Sequence, residues 1–256
     1  MPAARLLPLL AAAALACGPP VAAAQDAAAQ DAAAPPAADL GVSVNPGIND
    51  RFLAPDLDPA EWAGTFEAES REPFAARAAV VAALNLEEGD AVADVGAGTG
   101  AYLHPLAAAV GPAGRVFAVD LAPAFVARLR DRAAADRLAH VTPVLCSETS
   151  VMLPAGSCDV IFSSDTYHHF EYPARTLASM RDALKPGGRL AVLDFERVPG
   201  VSSDWVLGHV RAGKGTVRAE VEAAGFEFVA EPDVPGLAEN YLMLFENPAA
   251  PAGAAK

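Results

Sequence analysis

The sequence predicts an α/β fold: a doubly wound, mostly parallel sheet of seven strands, preceded by a helical segment. Two observations carry this. Short apolar runs alternate with helical stretches from residue 91 to residue 245, as they do when helices cover both faces of a parallel sheet. At Ala91–Gly100 an apolar run leads straight into Gly96-Ala97-Gly98-Thr99-Gly100, and a second run, Val116–Val119, ends in Asp120. Strand, glycine turn, helix, strand and acid make one βαβ unit shaped to hold an adenosine-containing ligand at the carboxyl ends of the strands.

The 256 residues allow one good-sized domain plus appendages. A formal net charge of −14 argues against a surface for nucleic acid, which needs clustered Lys and Arg. Three cysteines, Cys17, Cys146 and Cys158, make neither a disulfide framework nor a zinc set.

Residues 1–24 have the make-up of a secretory signal: Arg5, an apolar core at Leu6–Ala16 and small residues at Val21–Ala24. That core is short for a transmembrane helix. The expected product is exported, periplasmic or secreted, with no spanning helix once the signal is removed. Ala14-Leu15-Ala16-Cys17-Gly18 also resembles a lipoprotein signal, which would anchor the chain through a lipid on Cys17. Residues 25–40 repeat Gln-Asp-Ala-Ala-Ala and end in prolines, a tether with little to bury, and 247–256 is a tail of the same kind. Between them lies one domain, 41–246.

Its first part, 41–90, is helical. Trp62, Phe66, Phe74, Ala78 and Val81 recur near helical spacing, with Pro73 expected to break the run into two helices. Strands follow near 91–95, 115–120, 141–145, 158–163, 189–195, 226–230 and 240–245. Helices lie near 100–110, 123–136, 173–184 and 216–224. Two consecutive strands at the end imply an antiparallel finish.

Glycine suits a chain turning sharply out of a strand beneath a ligand, because a Cβ would fill the space the ligand needs. Gly96, Gly98 and Gly100 meet this need. Asp120, with Leu121 beside it, ends the next strand, where its carboxylate can accept both ribose hydroxyls. The same glycines satisfy the dinucleotide pattern G-x-G-x-x-G/A, so from this motif alone NAD remains an alternative ligand.

Four motifs occur in order: VADVGAGTG, AVD ending at Asp120, LPAGSCDVIFSSD and LKPGGRLAVLDF. Together they resemble the class I S-adenosylmethionine-dependent methyltransferases, whose fold is Rossmann-like. The wider chain, through FEAESRE, DTYHHFEYP and HVRAGK, is similar to a bacterial group of exported methyltransferase-domain proteins. The resemblance implies S-adenosylmethionine as cofactor and a small-molecule acceptor. It places Asp94, Gly96, Ala97, Gly98 and Gly100 along the methionine part and Asp120 on the ribose. The adenine contact falls to Ser147 or Glu148, since the usual glycine-aspartate-alanine is here Cys146-Ser147-Glu148. Asp165 faces the meeting point of donor and acceptor, and Pro186-Gly187-Gly188 is the turn into the fifth strand. In relatives the N-terminal segment covers the cofactor, which makes Trp62, Phe66 or Phe74 a candidate for the acceptor pocket.

Methyl transfer from a sulfonium needs an in-line nucleophile, with a base when the acceptor begins protonated. The expected base or acceptor-binding group is His168 or His169, with Tyr167 shaping the pocket. The alternative is that one histidine caps the next segment and the other packs under the cofactor. A second cluster, His209, Arg211 and Lys214, is expected to hold an anionic substrate or form a lid. Its alternative is a solvated loop, or pairing with the acids of Glu67–Glu72. No metal is expected, because the histidine spacing matches no closed site. Cys146 and Cys158 fall at opposite strand ends and are expected to be free thiols. Two other functions compete: a nicotinamide-dependent oxidoreductase, and a non-catalytic protein that binds an adenosyl ligand.

Overall fold

The computed structural model describes residues 41–249. The signal, Cys17 and the 25–40 tether therefore lie outside the described residues, as does most of the tail. Among the described residues no helix is long and apolar enough to cross a membrane.

Seven strands form one sheet in the order β3-β2-β1-β4-β5-β7-β6. They are β1 (Ala91–Val95), β2 (Arg115–Asp120), β3 (Val141–Leu145), β4 (Cys158–Ser164), β5 (Leu184–Phe195), β6 (Glu227–Ala230) and β7 (Asn240–Glu246). The first five run parallel, and β7 is antiparallel to both β5 and β6. This is the predicted Rossmann-like sheet with its antiparallel finish. Its strands are buried on both faces: Val92 packs into one apolar cluster, and Ala93 and Val95 into the other. The chain winds outward from β1 to β3, then returns to β4 beside β1. That reversal opens a crevice at the carboxyl ends of β1 and β4, where such sheets place ligands.

Helices α4 (Leu103–Val110), α5 (Pro123–Ala135), α6 (Pro173–Ala183) and α8 (Lys214–Ala223) match the expected stretches. Three elements differ. The N-terminal segment holds three short helices, α1 (Pro59–Phe66), α2 (Glu72–Ala75) and α3 (Arg77–Ala83), and the chain breaks at 67–71. Pro73 opens α2 because a first helical turn needs no N–H from it. Strand β5 begins at Leu184, so Pro186-Gly187-Gly188 lies within it, at a register shift against β4. A further helix, α7 (Asp204–His209), stands where a loop was expected; the Ser203 side chain caps it by accepting from Val206 N at 3.3 Å. Asn247, assigned to the tail, is buried, and its backbone bonds to Gly187 and Gly188. Cys146 and Cys158 are both free.

Candidate active site

The crevice is a cavity of about 610 Å³, a size suited to a small ligand with its partner. Its floor is the turn after β1. Gly96 has φ +82°, and a Cβ there would overlap the Thr166 side chain, so steric approach as well as backbone conformation demands glycine. Gly96, Ala97 and Gly98 line the cavity. Gly100 does not; it turns inward, where a Cβ would meet Leu103 at 2.8 Å and Leu129 at 3.1 Å. Of the expected cofactor glycines, Gly100 thus serves packing.

Asp120 ends β2 as expected. Its two oxygens accept from Gly98 N at 2.7 Å and Ala122 N at 2.8 Å, and each keeps a lone pair for a ribose hydroxyl. Leu121, Ser147 and Glu148 line the same end. Three carboxyls around the cavity are held above their ordinary range. Burial, with Asp120 nearby, pushes Asp94 up to about 7. Burial pushes Asp120 up to about 6 against the N–H donors of Ala122, Gly98 and Leu121. Burial raises Asp165 to about 7, opposed by Arg71 and reinforced by Asp194. The Thr99 hydroxyl, also in the wall, is buried without a hydrogen-bond partner. Buried acids beside an orphaned hydroxyl suit a ligand that brings an ammonium, a sulfonium and hydroxyls, as S-adenosylmethionine does.

Asp165 sits past the end of β4 with φ +47°, a conformation few non-glycine residues adopt. It is clamped there by a salt bridge from Arg71 and a 2.8 Å hydrogen bond donated by Asn240 Nδ2. Neither partner was visible in the sequence, because they come from the cover and from the final strand.

The cover itself forms the opposite wall. Trp62, Phe66 and Phe74 all line the cavity. Phe52 packs against Trp62, Phe66 and Phe125 with centroids 4.9, 6.3 and 6.1 Å apart. The cover is fastened by Arg71, by Arg132 Nη1 donating to Glu67 at 2.8 Å, and by Glu72 accepting from the Ala238 and Glu239 N–H groups at 2.8 and 2.7 Å.

Beyond Asp165 the chain makes one 3₁₀ turn, Tyr167–His169. His168 lines the cavity and is 3% exposed. Its Nδ1 pairs with Asp194 Oδ1 at 2.8 Å, which leaves Nε2 as its unengaged nitrogen. Burial opposes charge on His168, but Asp194 outweighs it and raises the pKa. His169 also lines the cavity; burial, then His168 and His209, push it down to about 3. His209, from α7, reaches the same place, with centroids 5.1 Å from His168 and 5.2 Å from His169. Trp205 stacks on His209 at 4.7 Å.

Three expected site residues stand elsewhere. Tyr167 turns away from the cavity and donates its hydroxyl to the buried Glu220 at 2.7 Å. Arg211 forks onto the same carboxylate at 2.8 and 2.6 Å. Lys214 pairs with Glu196 at 2.6 Å and Glu231 at 2.7 Å. These basic groups brace α8, and their partners are not the acids of Glu67–Glu72. Of that cluster only His209 reaches the cavity.

Residues 93–192 match the family model of a methyltransferase domain. Over 123 residues the chain is 34% identical to the ubiquinone/menaquinone biosynthesis C-methyltransferase UbiE of Burkholderia cenocepacia, covering 48% of this chain and 50% of that one. The chain thus spans about half the length of the curated relatives it matches. A crystal structure of a SAM-dependent methyltransferase from Aquifex aeolicus superposes with a TM-score of 0.65 at 25% identity, over 75% of this chain and 99% of that one. A possible exported protein from Bordetella parapertussis shares the fold, with a TM-score of 0.56 at 18% identity over 78% of each chain. Residues 93–192 thus resemble a methyltransferase domain, in a chain that shares its fold with a solved SAM-dependent methyltransferase.

Proposed function

We propose that the chain transfers a methyl group from S-adenosylmethionine to a small, flat, oxygen-bearing acceptor. One observation carries this: a single cavity runs from the Asp94–Asp120 end, whose buried acids suit the donor, past Asp165 to rings and histidines that nothing at the donor end requires. Phe52, Trp62 and Phe66 favour an aromatic acceptor. The biosynthetic C-methyltransferase relatives support the same class. The cover excludes water and holds the two reactants together, which for well-oriented groups contributes up to about 7–11 kcal/mol. The leader-like composition of residues 1–24 supports export, which would require the cofactor to be supplied outside the cytosol.

Calorimetry with S-adenosylmethionine, S-adenosylhomocysteine and NAD tests the reading. The two adenosyl sulfur compounds should bind and NAD should not; the reverse result rejects it. Asp120→Ala should weaken S-adenosylhomocysteine at least tenfold, about 1.4 kcal/mol, through the lost ribose contacts.

The raised carboxyls add a pH signature. A ligand ammonium beside Asp94 favours its ionised form, so below about pH 7 each binding event must expel a proton. S-adenosylhomocysteine affinity should therefore rise with pH, by up to about tenfold per unit, and level off above about pH 8. Below about pH 6 Asp120 protonates as well and the slope steepens. Asp94→Asn should flatten the upper part of the profile. An unchanged profile in that variant would remove Asp94 from the ammonium site.

A further inference from the structure

We propose that His168, His169 and His209 bind a divalent transition metal at the acceptor end of the cavity. One ligand nitrogen from each of the three lies within 4.8 Å of the others. They come from two elements 40 positions apart in sequence, the 3₁₀ turn after β4 and the last turn of α7, so local helical spacing does not explain the meeting. Imidazole suits zinc and its neighbours, and three protein ligands with one open position is the pattern of a reactive site. At a metal–nitrogen distance of about 2.0–2.1 Å the nitrogens of a tetrahedral site lie roughly 3.4 Å apart. The widest pair must therefore draw in, and His209, part-exposed on a six-residue helix, is the side chain free to move.

Two further observations point to the same site. Asp194, 1% exposed, takes Nδ1 of His168 at 2.8 Å and the His168 backbone N–H at 3.1 Å. That is the outer-shell carboxylate that fixes a ligand imidazole's tautomer and leaves Nε2 for the metal. Nδ1 of His169 is buried with no hydrogen-bond partner, a vacancy in the protein's own bonding that a cation nearby would explain. Two other acids in the wall are already engaged, Asp165 by Arg71 and Asn240 and Glu171 by the Ser43 hydroxyl. The fourth position therefore faces the cavity.

The ligand class for that position is an acceptor hydroxyl, and this part rests on the methyl-transfer reading. A metal-bound hydroxyl gives up its proton to water more readily. The oxygen lone pair then forms the new bond to the methyl carbon, the carbon–sulfur bond breaks with its electrons staying on sulfur, and the products are a methyl ether, neutral S-adenosylhomocysteine and the released proton.

The test uses the full chain, stripped with EDTA and titrated with zinc alone. One zinc per chain is expected. Asp194→Asn should weaken it by roughly 10–100-fold as a positioning residue, and His209→Ala by more. Cobalt(II) gives a second readout: the stripped chain should show the intense visible bands of a tetrahedral ion, and His209→Ala, with unchanged circular dichroism, should lose them. Absence of zinc binding, or binding that His209→Ala leaves intact, overturns the proposal. S-adenosylhomocysteine titrated into the same samples reads the donor end separately. A chain that binds that ligand without zinc loses the metal site alone, and one that binds zinc without it loses the methyl-transfer reading alone.

Discussion

Arg211→Met should destabilise the fold by about 3–5 kcal/mol while leaving S-adenosylhomocysteine affinity unchanged. Glu220 sits on α8 with its side chain 4% exposed, and its charge is matched by both Arg211 donors and the Tyr167 hydroxyl. Methionine preserves most of the volume but leaves the buried carboxylate with the Tyr167 hydroxyl and no opposite charge. Chemical denaturation measures the loss. At about 2–4 °C per kcal/mol for a domain of this size, the melting temperature should fall by roughly 6–20 °C. Replacing both partners, Arg211→Met with Glu220→Leu, should recover much of the stability. A variant whose affinity for acceptor falls while its stability holds would return Arg211 to the substrate.

Gly96→Ala should cost about 2–5 kcal/mol and abolish cofactor binding in whatever fraction remains folded. The left-handed φ of +82° contributes about 1–2 kcal/mol for any L side chain. Overlap with Thr166 adds about 1–3 kcal/mol, since Thr166 is tied by its hydroxyl to Ser164 O at 2.8 Å and cannot swing aside freely. The two contributions separate in a double variant. Gly96→Ala with Thr166→Ala should recover the overlap part and keep the backbone part. Thermal unfolding of the three variants reads both, and an alanine at 96 as stable as glycine would show that the turn relaxes.

Much of this architecture is legible in the sequence because it rests on local signals. Apolar runs bounded by turn residues mark β1, β2 and β4 to within a residue, and Gly96, Gly98 and Asp120 declare the crevice. What escaped depends on distance in the chain. Arg211 and Lys214 stand out as basic groups in an acidic protein, but the partners that neutralise them are Glu220, Glu196 and Glu231, and no spacing rule pairs those across loops. His209 lies on a helix of six residues, too short for periodicity, whose one announcement is Ser203 followed by Asp204. Its meeting with His168 and His169 depends on how the insert folds back over β5. The clamp on Asp165 joins residue 71 to residue 240, at opposite ends of the domain.

The cover carries a consequence for the order in which the protein comes into being. Residues 43–72 are synthesised before the sheet, yet their partners lie far downstream: Ser43 reaches Glu171 across 128 positions, Asn49 reaches His169 across 120, and Glu72 reaches Ala238 across 166. Such long-range closures are slow and wait for the elements they join. The first part of the domain to be made must therefore wait for elements that follow it, and its last ties, Glu72 to Ala238 and Glu239, wait until the chain has reached the start of β7. A nascent or stalled chain lacking β7 would already carry the glycine turn, Asp120 and Asp165, but Asp165 would lack the Asn240 half of its clamp.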